Sequence, residues 1–254
     1  MLKRLTFLLL VVSSLNHVFS QPVYVDERTG ITISFKTDGK MFPTSWELYD
    51  HPQHYSLPTY EYQRTKKIIS RALSKYPVYI LKANIKKIYV LEYLSFEGIA
   101  YAGTYTSGSV FIVNEGELEG YDDLFVEQTF HHEFSSVLYN NYIGQCGNGE
   151  TVWTQCNDGE EYGEGGFEAM KEGTDGLYFD EELNELGFIY EYAMSDKEND
   201  YNSLAENLFA PGEGFWDIVE KYPRIKCKVD ILLELYQILD PMFTKAFFDK
   251  LAKN

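Results

Sequence analysis

Two histidines and a glutamate stand together in Thr129-Phe130-His131-His132-Glu133-Phe134-Ser135-Ser136-Val137. His-Glu-x-x-His on a helix puts two imidazoles one turn apart on one face, with a carboxylate beside them. That arrangement serves metal-assisted hydrolysis. Zinc lowers the pKa of a bound water to about 7, and the carboxylate takes its proton. Here His132 and Glu133 fill the first two positions, and Ser136 stands where the second imidazole belongs. A hydrolytic zinc takes three protein ligands and keeps a fourth position for water, and serine is a poor neutral donor. The ligand set in this stretch is therefore incomplete. His131 and His132 project about 100° apart and do not readily clasp one ion together. His131 is expected to be a plain helix-surface or capping residue.

The helix that must hold these groups is expected from about Tyr121 to Asn140. Asp122 and Asp123 suit its positive N-terminal end. Val126, Phe130, Phe134, Val137 and Leu138 form its core-facing stripe. A second helix, from Tyr60 to Lys75, is stopped by Pro77. Strands are expected at Gly30–Phe35, Val78–Leu81, Ile85–Leu94 and Gly108–Val113, all rich in Ile, Val, Tyr or Phe. Ser195 and Glu198 have the spacing of a capping box, opening a helix with Tyr201, Leu204, Ala205 and Leu208 on its buried side. Between them, residues 144–176 are rich in glycine and carboxylates and read as an inserted lid or mobile loop. The run Asn157-Asp158-Gly159-Glu160-Glu161 lacks the spacing of a calcium loop. Phe215 to Lys253 reads as two or three short helices.

Residues 1–20 carry Lys3 and Arg4, an apolar run and a small residue at Ser20, the pattern of a cleavable signal peptide. This points to a secreted or periplasmic protein. No other stretch reaches the length of a membrane span. The 22 basic and 39 acidic side chains give a net charge of −17, which excludes nucleic acid as a natural partner. Of Cys146, Cys156 and Cys227, the first two can pair across a short loop, leaving Cys227 over. Residues 21–58 read as an N-terminal extension ahead of a domain at 59–254.

The order of strand, His132-Glu133 helix, long insertion, Tyr192-Ala193-Met194-Ser195, then a helix with Ala205-Glu206-x-Leu208-Phe209 resembles the secreted zinc-binding metallopeptidases of glutamate-zincin type. It is more distantly similar to the catalytic domain of anthrax lethal factor. The resemblance implies an α+β, zincin-like fold: a small mixed sheet with the active helix, and a mainly helical C-terminal lobe. It implies His132 as first zinc ligand, Glu133 as general base and Glu206 as third ligand. The strand before the active helix would hold an extended peptide substrate, and Tyr192 or Tyr201 would polarise its carbonyl. Ser136 departs from the pattern and leaves three readings. The fold persists without the metal, as a pseudo-enzyme or a peptide- or protein-binding module. His51 and His54 supply the missing ligand. Or zinc binds weakly through His132, Glu206 and waters.

Overall fold

The computed structural model describes residues 21–143 and 149–253. The expected signal peptide at 1–20 lies outside them.

A mixed sheet organises the chain. Its strands are β1 (Val23–Val25), β2 (Thr32–Ser34), β3 (Gln53–Ser56), β4 (Lys87–Phe96), β5 (Ile99–Ala100), β6 (Gly103–Thr106) and β7 (Ser109–Val113). The main order is β1-β2-β4-β7-β6, with β3 and β5 pairing the far end of β4. β2, β4 and β7 are parallel, while β1 and β6 run antiparallel at the two margins. β4 is central, and the buried run Ile88-Tyr89-Val90-Leu91 is apolar on both faces, as a strand covered on both sides requires. Residues 21–58 supply β1, β2 and β3.

The helices are α1 (Thr44–Tyr49), α2 (Tyr62–Ser74), α3 (Val78–Asn84), α4 (Asp123–Leu138), α5 (Gly149–Gln155), α6 (Gly166–Glu172), α7 (Glu181–Leu186), α8 (Lys197–Phe209), α9 (Phe215–Lys221), α10 (Pro223–Leu239) and α11 (Lys245–Leu251). α2 and α4 cover one sheet face, where Ile88, Val90, Val110 and Ile112 join the main core with Phe130 and Phe134. The other face carries a smaller core of Tyr89, Leu91, Phe111 and Val113 against Met41 and Phe42. Alternation along β4 and β7 divides these two sets.

Several expectations need correction. Val78–Leu81 is not a strand but the start of α3. Pro77 leads into it with ψ 138°, and Leu81, Asn84 and Ile85 share its buried side. In so short a run the helical period and a strand's apolar content look alike. The helix at Ser195 is capped by Asp196, whose side chain accepts from Asn199 N. Ser195 instead donates to Tyr192 O. The disulfide joins Cys156 to Cys227, not to Cys146, which lies outside the described residues. α5 and α10 bring those two Cα atoms to 5.8 Å, within disulfide reach.

The glycine-rich segment is anchored through a buried charge pair. Trp153 and Tyr162 both donate to Asp200 on α8. Lys228 on α10 meets the same carboxylate at 2.7 Å, with both side chains fully buried. Lys228 also donates to Gly187 O.

Candidate functional site

α4 lies between the sheet, α2 and α8, so nearly all of its sides are covered. Asp122 caps it by accepting from Phe125 N at 2.8 Å. Its partner α8 runs antiparallel to it. Gln128 reaches Asn207, His132 reaches Glu206, and Ser136 reaches Asn202. The four-residue step from 132 to 136 is matched by the step from 206 back to 202, because both helices repeat every 3.6 residues.

His132 Nδ1 donates to Glu206 Oε2 at 2.7 Å. The other carboxylate oxygen of Glu206 accepts from the Tyr190 hydroxyl. Burial disfavours the imidazolium, but the hydrogen bond and charge of Glu206, with the charge of Glu133, outweigh it. The pKa of His132 is thereby raised to about 9. Glu133 is buried, and burial pushes its carboxyl up to about 7. The His132 charge opposes that rise, and Glu198 and Glu206 reinforce it. Gly103 of β6 passes so close that a Cβ there would lie 2.8 Å from Glu133 Cγ and Oε1. Glycine at 103 is what lets the sheet margin approach the helix.

Around this centre stand Tyr105 and Asn140, which the sequence did not single out, and Tyr192, which it did. The Tyr105 hydroxyl donates to Glu198 at 2.9 Å, and Asn140 donates to Tyr105. Tyr192 lies with its ring 5.9 Å from that of His132. Burial and the Glu133 charge push its hydroxyl pKa upward. Tyr201, the alternative to Tyr192, is buried in the core beside Tyr139 and Tyr236, away from the cleft. The spacing of Asn202 and Glu206 was the one available signal for Asn202.

His131 is not a surface residue. It is fully buried, hydrogen-bonded to the Tyr76 hydroxyl at 2.9 Å and stacked on Phe209. Burial holds its pKa down to about 4. α2 and α8 flank α4 from both sides, so the buried arc is wider than one stripe. His54 packs against Phe42, in the core on the sheet face opposite α4. The strand expected to hold a peptide, β7, is interior. β6 folds back over it through Gly108 (φ +89°) and forms the margin instead.

Among the described residues the ligand set of a catalytic zinc site is incomplete. Ser136 Oγ accepts from Asn202 Nδ2 at 2.6 Å, so its hydroxyl is engaged. A shared zinc at about 2.0–2.2 Å from each donor would hold an imidazole nitrogen and a carboxylate oxygen roughly 3.3 Å apart. At 2.7 Å a proton joins His132 to Glu206. Among the described residues no group of three or more His, Cys, Asp or Glu side chains gathers to hold an ion. The centre instead offers a buried ion pair, a carboxyl that titrates near neutrality and tyrosine hydroxyls. These can bind and orient a polar group.

No family model matches the chain, and no curated protein sequence matches it. The crystal structure of a putative zinc-binding metallo-peptidase from Bacteroides caccae ATCC 43185 is similar to it, with a TM-score of 0.57 at 16% identity. The match covers 89% of this chain and 86% of that one. The chain therefore shares the fold of that structure, a small mixed sheet with many helices, consistent with the zincin-like fold expected.

Proposed function

We propose that the protein is an exported, non-hydrolytic peptide-binding module on a metallopeptidase fold, with an ion pair where a zinc would sit. One observation carries this reading: His132 and Glu206 are bonded to each other at 2.7 Å while Ser136 is occupied by Asn202. The margin strand β6, beside Glu133, has no strand on its outer side among the described residues and so suits pairing with an extended peptide. The Cys156–Cys227 disulfide supports export, because such bonds persist in oxidising compartments.

The test is calorimetric titration of the mature chain with unstructured peptides, with and without a strong chelator. Binding is expected to persist in the chelator, without cleavage. Binding that requires zinc and disappears in His132→Ala would overturn the proposal. A second reading, zinc-dependent peptide hydrolysis, draws on Glu133, whose pKa near 7 suits proton transfer at neutral pH. Cleavage that appears with added zinc and vanishes in Glu133→Gln would support it instead.

A further inference from the structure

Beside β6 the sheet margin opens into a cleft of about 310 Å³. Its walls are aromatic rings set at right angles. Trp46 and Phe96 meet edge-on, with centroids 5.3 Å apart and planes at 84°. Phe96 and Tyr101 meet at 5.1 Å and 85°. Phe167, from α6, faces them across the opening. Two carboxylates, Asp50 and Glu97, stand among these rings. Among the described residues neither makes an ion pair or a side-chain hydrogen bond. The segments that hold them are tied by Glu97 N donating to Asp50 O at 3.1 Å.

Aromatic rings that line an opening offer it negative π surface, which attracts a cation. Unpaired carboxylates at the same opening add charge. An apolar ligand would leave both acids unpaired, and an anion would meet them with repulsion. The chain as a whole, at −17, draws cationic ligands towards it.

The position of the cleft says how a peptide would use it. The missing Cβ of Gly103 faces Glu133 and α4. Its neighbour Thr104 therefore faces the other side of the sheet, where it lines the cleft. A peptide paired along β6 would send alternate side chains to that side.

We infer that this aromatic, acid-lined cleft is a recognition pocket for a lysine or arginine side chain of a peptide lying along β6. The inference rests on the peptide-binding reading above. It adds the class of ligand: a cationic segment, with one basic side chain caged among Trp46, Phe96, Tyr101 and Phe167. Glu97 lies at the tip of the β4–β5 hairpin with φ +49°, a conformation that glycine or asparagine adopts at less cost. An asparagine there would suit the turn and remove the charge.

The experiment compares three extended peptides identical except for one position, carrying lysine, norleucine or glutamate. Each is titrated into the full chain and into Asp50→Asn/Glu97→Asn. N-acetyl-lysine amide serves as a probe that needs no strand pairing, read by quenching of Trp46 fluorescence against a Trp46→Phe control. The lysine peptide is expected to bind about tenfold tighter than the norleucine peptide, a difference of about 1.4 kcal/mol. That advantage should vanish in the double variant, while the norleucine peptide binds both proteins alike. Unchanged thermal stability of the double variant, or a gain, excludes unfolding as the cause. Equal binding of all three peptides would overturn the pocket and leave the peptide-binding reading standing. Binding of the small probe alone, lost in the double variant, would support the cation pocket and sink the reading of β6 as a peptide edge. Binding of neither probe nor peptide would overturn the pocket.

Discussion

Restoring the missing imidazole tests the α4–α8 register directly. Ser136→His alone places a ring against Asn202, whose amide lies 2.6 Å from Ser136 Oγ. Such overpacking costs about 1–3 kcal/mol. The informative protein is therefore Ser136→His with Asn202→Ala, which clears room for the ring. In the native chain, zinc must first displace the proton shared by His132 and Glu206. With a pKa of about 9, deprotonating His132 at pH 7 costs about 2.7 kcal/mol, roughly 100-fold in affinity. Whatever weak zinc affinity the native chain has should rise about tenfold per pH unit from 7 to 9, then level off. The double variant adds a third protein donor. If a site worth about 10–16 kcal/mol is shared over four ligands, one ligand contributes about 3 kcal/mol, again roughly 100-fold. Competition against a chromophoric chelator at pH 7 and pH 8.5 measures both quantities. A gain of less than about tenfold in the folded double variant would show that position 136 does not share one ion-sized space with His132 and Glu206. Tight native binding at pH 7 without pH dependence would refute the ion pair as the resting state.

Other outcomes follow from the same geometry. His132 is held above its unfolded value, so the stability it contributes is fully present below pH 6.5 and lost as pH rises to about 9. Raised Glu133 adds a similar loss between pH 4.5 and about 7. Thermal melts should decline across pH 6.5–9, by on the order of 3 kcal/mol for His132, and His132→Gln should flatten that window; an equally steep decline in the variant would assign the titration to another group. Gly103→Ala should lose about 1–3 kcal/mol in urea, since the new methyl meets Glu133 and Thr129 Cγ2 at 2.8 Å. Adding Thr129→Ser, which deletes that Thr129 methyl, should recover part of the loss, and no recovery would argue against this contact. Asp200→Asn should cost about 3–5 kcal/mol by stranding the Lys228 ammonium, whereas Asp200→Leu with Lys228→Met should cost much less. Equal losses in a denaturant series would show that the two charges are not coupled.

The parts of the fold legible in the sequence were those with long periodic patterns. α2, α4, β4 and β7 all lie where their apolar periods put them. His132, Glu133 and Glu206 could be selected because motif order survives where motif identity does not, and the structure brings all three to one cleft. Other features depended on distant packing. His131 looked exposed because one helix gives no sign of how many neighbours will surround it. α3 was lost because a seven-residue helix bears too few turns to show its period. The margin position of β6 came from strand order, which a four-residue Gly-Thr-Tyr-Thr segment does not encode locally. The Cys156–Cys227 bond, 71 residues apart, depends on how α10 crosses α5.

That bond also sets off one stretch of the chain as a closed covalent loop. It closes a ring that contains α6, α7, α8 and α9, and with them Phe167, Tyr190, Tyr192 and Glu206. His132, Glu133, Trp46 and the sheet margin lie outside the ring. Closing a ring of this size stabilises its contents by about 4 kcal/mol against unfolding in the chain-entropy model, and among the described residues no second disulfide joins the ring to the sheet. Both the His132–Glu206 centre and the aromatic cleft straddle this seam. Under reducing conditions the wall bearing Glu206 loses its staple while the wall bearing His132 loses nothing. Each site is therefore an assembly of a cross-linked half and an uncross-linked half, held in register by the packing of α4 on α8.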